Sequence, residues 1–148
     1  MQMPRPQKSR KIHYPPMFNE FKPMGVGGRM LEKIVMTIDE YEALRLADYL
    51  GYSQEEAADE MEISRPTFTR LIESARKKVA EMLVQGKKLV ISGGNIEFRA
   101  NIIKCLSCGR LYRVPFDEKI DNCPSCGSDR LINFAYVGGG HRHGKRWK

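Results

Sequence analysis

Two Cys-x-x-Cys pairs constrain the fold of this chain more strongly than any other feature. Cys105 and Cys108 form the first pair, Cys123 and Cys126 form the second, and a glycine follows each pair. Each pair predicts a tight turn that presents two thiolates. Four soft thiolates suit one tetrahedral, structural Zn²⁺, and an all-cysteine shell leaves no open position for catalytic water. We therefore predict a small β zinc ribbon over residues 102–136.

This segment is too short for a sufficient apolar core, so we expect metal binding to supply much of its folding free energy. The residues expected to surround the metal are Tyr112, Val114, Ile120, Leu131 and Phe134. The two cysteine pairs with Tyr112 also resemble rubredoxin, where the same ligands hold iron, so an iron redox carrier ranks second. A disulfide pair ranks third, because the N-terminal segment carries no export signal. His141 and His143 are interpreted as solvated residues of a Gly-rich tail.

Length, charge and hydropathy bound the class of protein. The 148 residues suit one or two small domains, and no apolar run approaches the roughly 20 residues that a membrane span needs. We expect no membrane association and a cytoplasmic protein, since the basic, Pro-rich start lacks the apolar core of a secretory signal. The formal net charge of +7 favours a polyanionic partner. The charge is uneven, with cations at both termini and an acidic block over residues 39–62.

Two capping boxes open a predicted helical domain over residues 37–86. In the first box Thr37 and Glu40 satisfy free amides at a helix start, and in the second Ser53 and Glu56 do the same. Gly51 is placed to end the first helix. The apolar face expected for that helix comprises Tyr41, Leu44, Ala47 and Leu50.

The stretch over residues 53–76 matches a helix-turn-helix template. Ala58 permits a close approach of two helices, and Ile63 plugs the turn between them. Glu62 stands where the backbone is commonly left-handed, a conformation that usually favours glycine. Ser64 caps the next helix, which is predicted to continue as far as Gly86. The apolar stripe of that helix comprises Phe68, Leu71, Ile72 and Ala75.

The polar side of the helix that starts at Arg65 predicts a major-groove reading surface. Its side chains are donors and acceptors that can face phosphates and base edges. The predicted DNA-contacting residues are Ser64, Arg65, Thr67, Thr69, Arg70, Glu73 and Lys77. The alternative is a plain three-helix bundle whose polar face is only solvated, because apolar stripes alone do not specify a DNA-binding function.

The remaining segments are predicted to be extended or flexible. Residues 1–36 are rich in proline and predict a basic extended arm, either solvated or following the DNA backbone. The arm's expected phosphate contacts are Arg5, Lys8, Arg10 and Lys11, and its expected anchors are Phe18, Phe21 and Met24. Residues 87–101 predict a short β linker or hairpin, with strands over 88–91 and 96–98. Residues 137–148 predict a flexible basic tail.

Several motifs are spread over the larger part of the chain. They lie at residues 3–6, 21–23, 39–48, 53–58, 64–68 and 73–78. Together they resemble a prokaryotic family of unknown function whose members are predicted DNA-binding proteins, over about residues 4–94. The helix-turn-helix of that family is similar to the promoter-reading fourth region of primary sigma factors. The resemblance implies DNA binding by analogy.

These patterns predict a mainly α helix-turn-helix domain plus a small β zinc-ribbon domain. The leading hypothesis is a sequence-specific transcription regulator that reads double-stranded DNA with the helix starting at Arg65. We expect a homodimer, because such proteins usually place two reading helices about one DNA turn apart, and RNA polymerase is a candidate partner. The alternatives are a protein-binding adaptor of the transcription machinery, acting through the acidic block, and the redox carrier. No nucleophile, base and orienting group are visible together, so we predict no enzyme.

Overall fold

The computed structural model describes residues 9–115 and 118–134, which form three α-helices and eight short β-strands. Two apolar cores divide these residues. The larger core joins side chains from residues 12–98, and the smaller one surrounds the cysteines between residues 103 and 131. We call residues 10–98 the helical unit and residues 100–134 the four-cysteine unit. Among the described helices, none combines the length and the apolar character that membrane crossing requires.

The three helices begin directly after the predicted caps, and the third also ends at the predicted glycine. They are α1 (Ile38–Leu44), α2 (Gln54–Met61) and α3 (Arg65–Gln85). Both capping boxes are present: the hydroxyls of Thr37 and Ser53 accept from amides one turn on, and Glu40 and Glu56 accept from the cap amides. Gly86 closes α3 in a left-handed conformation with φ 67°. The predicted caps and the end of α3 are therefore confirmed, whereas α1 ends at Leu44, before Gly51.

The first helix differs from its predicted apolar face. Residues Arg45–Tyr49 continue α1 as a π-helical turn. Such a turn has more residues than an α-helical turn and so rotates the following side chains relative to the core. Ala43 and Leu46 are fully buried, whereas Leu50 is 44% exposed. The prediction was therefore wrong at Leu50. The other predicted residues, which pack partly buried against the core, are Tyr41, Leu44 and Ala47.

Strands from the N-terminal segment pair with strands that follow α3. Strand β1 (Arg10–Ile12) runs parallel to β5 (Ile96–Phe98). Strand β4 (Lys88–Ile91) lies between β2 (Glu20–Phe21), to which it is antiparallel, and β3 (Lys33–Met36), to which it is parallel. The strands β4 and β5 therefore do not form the predicted hairpin, because each pairs with the N-terminal segment instead.

The N-terminal segment is part of the helical unit from Arg10 onward, not the predicted arm. Alternation along short strands buries Ile12 and Met36 in the larger core. The predicted anchors are wrong, because Phe18 and Met24 are 68% and 99% exposed and Phe21 is 44% exposed. A short 3-10 turn, Gly28–Met30, precedes β3. The positions Arg5 and Lys8 and the tail over 137–148 lie outside the described residues.

The four-cysteine unit is a three-stranded antiparallel sheet. Its strands are β6 (Ala100–Cys105), β7 (Leu111–Pro115) and β8 (Leu131–Asn133), with β6 in the centre. The chain passes from β5 to β6 through Arg99. The amides of Arg99 and Ala100 donate to the carbonyls of Ile12 and His13 at 2.7 Å and 3.0 Å. These bonds fix the start of the four-cysteine unit against β1 of the helical unit.

Candidate functional site

The four cysteine thiols converge on one point between two turns. All four Sγ atoms lie within 4.8 Å of one another. Cys105 Sγ lies 3.6 Å from Cys126 Sγ, and Cys108 Sγ lies 3.7 Å from Cys123 Sγ. A tetrahedron with metal–sulfur distances of about 2.3 Å has sulfur–sulfur edges of about 3.8 Å. The thiols are thus spaced as ligands of one metal ion, and they are too far apart for disulfide bonds of about 2.05 Å.

The two turns have matching backbone geometry. In each turn the glycine amide donates to the carbonyl of the first cysteine at 2.9 Å. The amide of the second cysteine lies 3.4 Å or 3.5 Å from the sulfur of the first. Gly109 and Gly127 have φ angles of 78° and 76°, a left-handed conformation that costs glycine little. The sequence therefore builds the same ligand pair twice.

The surroundings of the thiols set their protonation. A hydrogen bond from the Tyr112 hydroxyl, 3.4 Å away, and two backbone amides lower the pKa of Cys123 to about 6. The amide of the second cysteine in its turn likewise lowers the pKa of Cys105. The pKa of Cys126 is raised to about 11, because burial and the three neighbouring thiols outweigh an amide hydrogen bond that acts to lower it. A bound cation would offset the repulsion between neighbouring negatively charged sulfur atoms and so favour four thiolates.

The small core around the cysteines matches most of the prediction. Val114 and Leu131 are buried in it, and Tyr112 and Ile120 pack against it. Phe134 is buried but lies outside this cluster. Ile103, which was not predicted to belong to this core, is 4% exposed in the centre of β6. The β-branched residues beside the first cysteine pair were the signal that could have identified it.

A tight turn joins α2 to α3. Glu62 ends α2 with φ 56° and ψ 45°, so the predicted left-handed conformation is confirmed. The amide of Ile63 donates to the carbonyl of Ala58 at 3.0 Å. The fully or almost fully buried residues that the two helices contribute to the core are Ala57, Ala58, Met61, Phe68, Ile72 and Ala75. The apolar faces predicted for this pair of helices therefore meet in the larger core.

The predicted contact residues lie between the N-cap of α3, Ser64, and Lys77. One side of α3, opposite the buried stripe, carries Pro66, Arg70, Glu73 and Lys77 at helical spacing. The distance from the first to the last of these residues is about 16 Å along the helix axis. All three charged side chains belong to exposed residues, as does Arg65. Within residues 9–115 and 118–134, no carboxylate lies within ion-pair distance of Arg65, Arg70 or Lys77. This exposed face is called the α3 polar face below.

The hydroxyl groups on α3 make local hydrogen bonds. Ser64 Oγ lies 2.8 Å from Thr67 Oγ1 and caps the helix. Thr69 Oγ1 donates to Gln54 Oε1 of α2 at 2.6 Å. A guanidinium nitrogen of Arg70 lies 3.4 Å from Thr67 Oγ1. These bonds hold the helix start and its contact with α2, and they orient Arg70.

Two of the four predicted phosphate contacts, Arg10 and Lys11, lie in the described part of the chain and have partners inside the protein. Arg10 belongs to β1, and its Nε lies 3.7 Å from a carboxylate oxygen of Asp39. Lys11 Nζ lies 2.7 Å from a carboxylate oxygen of Glu97 on the paired strand. Their charges are therefore partly compensated by neighbouring carboxylates, unlike those of the α3 polar face.

Much of the acidic block is buried or paired. The carboxylates of Asp39, Glu40 and Glu42 on α1 belong to residues that are 5%, 5% and 0% exposed. Glu42 pairs with Arg45 at 2.7 Å, and Glu40 pairs with Lys78 at 2.7 Å. Burial acts to raise the pKa of Glu40, but the hydrogen bond from Lys78 and others lower it below its ordinary value. The acidic residues of α1 are thus structural ion-pair partners.

These observations define a class of small two-unit proteins, in which a helical unit with mixed strands precedes a β unit with a four-cysteine cluster. The chain belongs to the family described as "Protein of unknown function DUF134", which matches residues 1–99. That match ends beside Arg99, where the helical unit passes into the four-cysteine unit. The expectation of a family of unknown function is confirmed.

Curated relatives extend over both units. A UPF0251 protein of Chloroherpeton thalassium is 44% identical over 144 residues, covering 97% of this chain and 95% of the relative. A UPF0251 protein of Chlorobaculum tepidum is 46% identical, covering 97% of this chain and 74% of the relative. A UPF0251 protein of Clostridium botulinum is 42% identical, covering 88% of this chain and 83% of the relative. No solved structure matches the chain.

Proposed function

We propose that this protein is a sequence-specific DNA-binding protein that regulates transcription, with α2 and α3 forming a helix-turn-helix. The α3 polar face carries the proposal. Arg65, Arg70 and Lys77 stand exposed on one helix, and no carboxylate among the described residues pairs with them. Phosphate oxygens and guanine edges are natural partners for such guanidinium and ammonium groups. A face about 16 Å long on a single helix suits the major groove.

The distribution of ion pairs supports the same proposal. Two other cations of α3 are compensated, since Arg76 pairs with Asp48 at 2.7 Å and Lys78 pairs with Glu40. Of the remaining cations, Arg70 and Lys77 lie on the face proposed for DNA, and Arg65 is exposed at the start of the helix. The adaptor alternative depends on an acidic surface formed by α1 and α2. Burial of the α1 carboxylates removes much of that surface, so we prefer DNA as the partner.

The four-cysteine cluster is proposed to hold one structural Zn²⁺. Its four thiols fill a tetrahedral shell, and none of the positions is left for substrate. Iron fits the same ligands and is the second assignment. Elemental analysis of purified protein distinguishes the two metals, together with the absorption spectrum, because Zn²⁺ thiolate sites are colourless and ferric thiolate sites absorb visible light.

The DNA-binding proposal is tested with a duplex selected from a random-sequence pool and titrated at several salt concentrations. In the variant with Arg65→Ala and Arg70→Ala, we expect the affinity to fall by about tenfold or more. The slope of log affinity against log salt should decrease by about two, because each phosphate contact contributes about 0.9. Fluorescence anisotropy measures both quantities.

Arg76→Ala is the matched control for this experiment. It removes a guanidinium from the same helix, but one that already pairs with Asp48. We expect its salt slope to stay within the error of the unmodified protein. If the double variant keeps both its DNA affinity and its salt slope, the α3 polar face is not the DNA-binding surface. The same conclusion follows if Arg76→Ala lowers the DNA affinity as much as the double variant does.

A further inference from the structure

A partly enclosed cavity of about 420 Å³ lies where the helical unit meets the four-cysteine unit. Its walls come from the segment between β1 and β2, from α1, and from β6 and β7. Its lining includes Tyr14, Phe18, Tyr41, Leu111, Tyr112 and Arg113. A volume of this size is typical of sites for small organic ligands, which measure about 300–1,000 Å³.

The cavity holds a positive charge, on Arg113, that pairs with no carboxylate among the described residues. The Arg113 guanidinium carbon lies 5.0 Å from the centre of the Tyr14 ring, in a cation–π contact. Arg45 approaches the same ring at 5.7 Å, but the buried carboxylate of Glu42 holds it at 2.7 Å. Arg113 is exposed, and no carboxylate in the described part of the chain lies within ion-pair distance of it. An anion in the cavity would therefore form an ion pair with the Arg113 guanidinium.

The apolar walls are unusually open to solvent for large side chains. Phe18 is 68% exposed and Leu111 is 50% exposed. Covering such surface stabilises by roughly 25 cal/mol per Å², and aromatic side chains favour stacked or edge-on contacts with another ring. Tyr14, Tyr41 and Tyr112 add three further rings around the same space. The walls thus favour a planar ring over an aliphatic chain.

We propose that this cavity binds a small planar aromatic anion, with its ring against the aromatic walls and its anionic group on Arg113. The ligand class is an aromatic ring that bears a carboxylate, phosphate or sulfonate. The site is separate from the α3 polar face and from the sulfur atoms of the four-cysteine cluster, and it does not depend on DNA binding.

The site connects the two units through residues already in contact with each. Tyr41 belongs to α1, which packs on α3, and Tyr112 approaches Cys123 Sγ at 3.4 Å. A bound ligand therefore adds contacts between the helical unit and the four-cysteine unit. Ligand binding should therefore raise the thermal unfolding temperature of the protein, because the ligand binds only the folded state.

The test uses the metal-loaded, full-length chain and 8-anilinonaphthalene-1-sulfonate, a fluorescent aromatic sulfonate. N-phenyl-1-naphthylamine, which has the same rings without the anionic group, is the uncharged probe. We expect the sulfonate to bind with a stoichiometry of one. Arg113→Gln should lower the affinity for the sulfonate by about tenfold, because it removes a charge-assisted contact. The affinity for the uncharged probe should stay unchanged. Phe18→Ala should lower the affinity for both probes.

Arg110→Gln is the matched control, since Arg110 is an exposed arginine of the same unit that does not line the cavity. It should bind both probes as the unmodified protein does. Equal binding of the sulfonate by Arg113→Gln and the unmodified protein would overturn the proposal. An equal loss in Arg110→Gln would also overturn it, by showing that general surface charge attracts the probe. Metal content and the helical circular dichroism signal are measured for every variant, to show that both units remain folded.

Discussion

The helical unit and the four-cysteine unit reach a folded state by different means. The helical unit buries large side chains from helices and strands, among them Phe68, Ile12, Met36 and Leu46 at 0–1% exposure. The four-cysteine unit buries few apolar residues, and two of the buried members of its core are cysteines. Burial of apolar surface can stabilise the first unit without a ligand, whereas a core as small as the second requires additional stabilisation. We infer that the proposed metal ion supplies the stabilisation that this small core lacks.

The largest expected effect comes from removing the metal. Chelation, or Cys123→Ser, should abolish the protection of backbone amides over residues 100–134 while the helical circular dichroism signal persists. The reason is that the small core around the cysteines would lose its proposed metal ion, while the larger core contains no cysteine. Hydrogen exchange resolved by residue measures the loss in each unit separately.

Ser107→Ala is the control for the metal experiment, because Ser107 is exposed in the first cysteine turn and is not one of the ligands. It should keep one metal ion per chain and full protection of β6. Loss of helical signal on chelation would show that the two units fold as one. Persistent protection of residues 100–134 without metal would show that the small core is sufficient.

The second prediction perturbs the other unit. Phe68→Ala should lower the free energy of unfolding of the helical unit by about 3–5 kcal/mol, because Phe68 is 0% exposed and its removal leaves a cavity. Metal content should not change. Phe18→Ala removes the same side chain from a position that is 68% exposed and should change stability by about 0.5 kcal/mol or less. Denaturant titration followed by circular dichroism compares the two. Similar losses in both variants would place Phe18 in the cooperative core.

The sequence predicted features that depend on neighbouring residues. The capping boxes at Thr37 and Ser53 each involve side chains three residues apart, so a short motif specifies them. The cysteine pairs are likewise local, and the two turns need only meet once to complete the cluster. The left-handed backbone at Glu62 follows from the geometry of a tight turn between two helices, despite an unfavourable residue.

The features that the sequence did not predict depend on distant partners. The register that pairs Arg10 with Ile96 joins residues from opposite ends of the helical unit, and no local motif encodes it. Phe18 was expected to anchor the N-terminal arm, but it is exposed, whereas Pro15 and Pro16 are buried. The π-helical turn after α1 is also set by tertiary packing, which buries Leu46 rather than Leu50.

The third prediction tests the close packing that follows β4. A Cβ atom at Gly94 would lie 2.8 Å from Asp39 Oδ1 and 3.3 Å from Thr37 Cβ, and the residue has φ 105°. Gly94→Ala should therefore lower the free energy of unfolding of the helical unit by about 1–3 kcal/mol. Gly25→Ala is the control, because its φ is 85° but no heavy atom lies within 4 Å. Thermal denaturation compares the two variants. Equal losses would assign the whole cost to backbone conformation and none to the contact with α1.

The smallest effect concerns Glu62, which lies between α2 and α3 and also contacts the junction of the two units. Its carboxylate lies 3.2 Å from the guanidinium of Arg99, and both side chains are well exposed, so the pair contributes at most about 1 kcal/mol. Glu62→Ala and Glu62→Gly both remove that pair. They differ in the cost of the left-handed backbone, which is low only for glycine.

We therefore expect Glu62→Gly to be more stable than Glu62→Ala by about 1 kcal/mol in the helical unit. The stability of the four-cysteine unit should be the same in both variants, because each lacks the contact to Arg99. Denaturant titration reports the first quantity and hydrogen exchange over residues 100–134 reports the second. If Glu62→Ala and Glu62→Gly are equally stable, the residue at position 62 does not keep its left-handed conformation in solution. A difference confined to residues 100–134 would instead show that the turn acts mainly on the junction between the units.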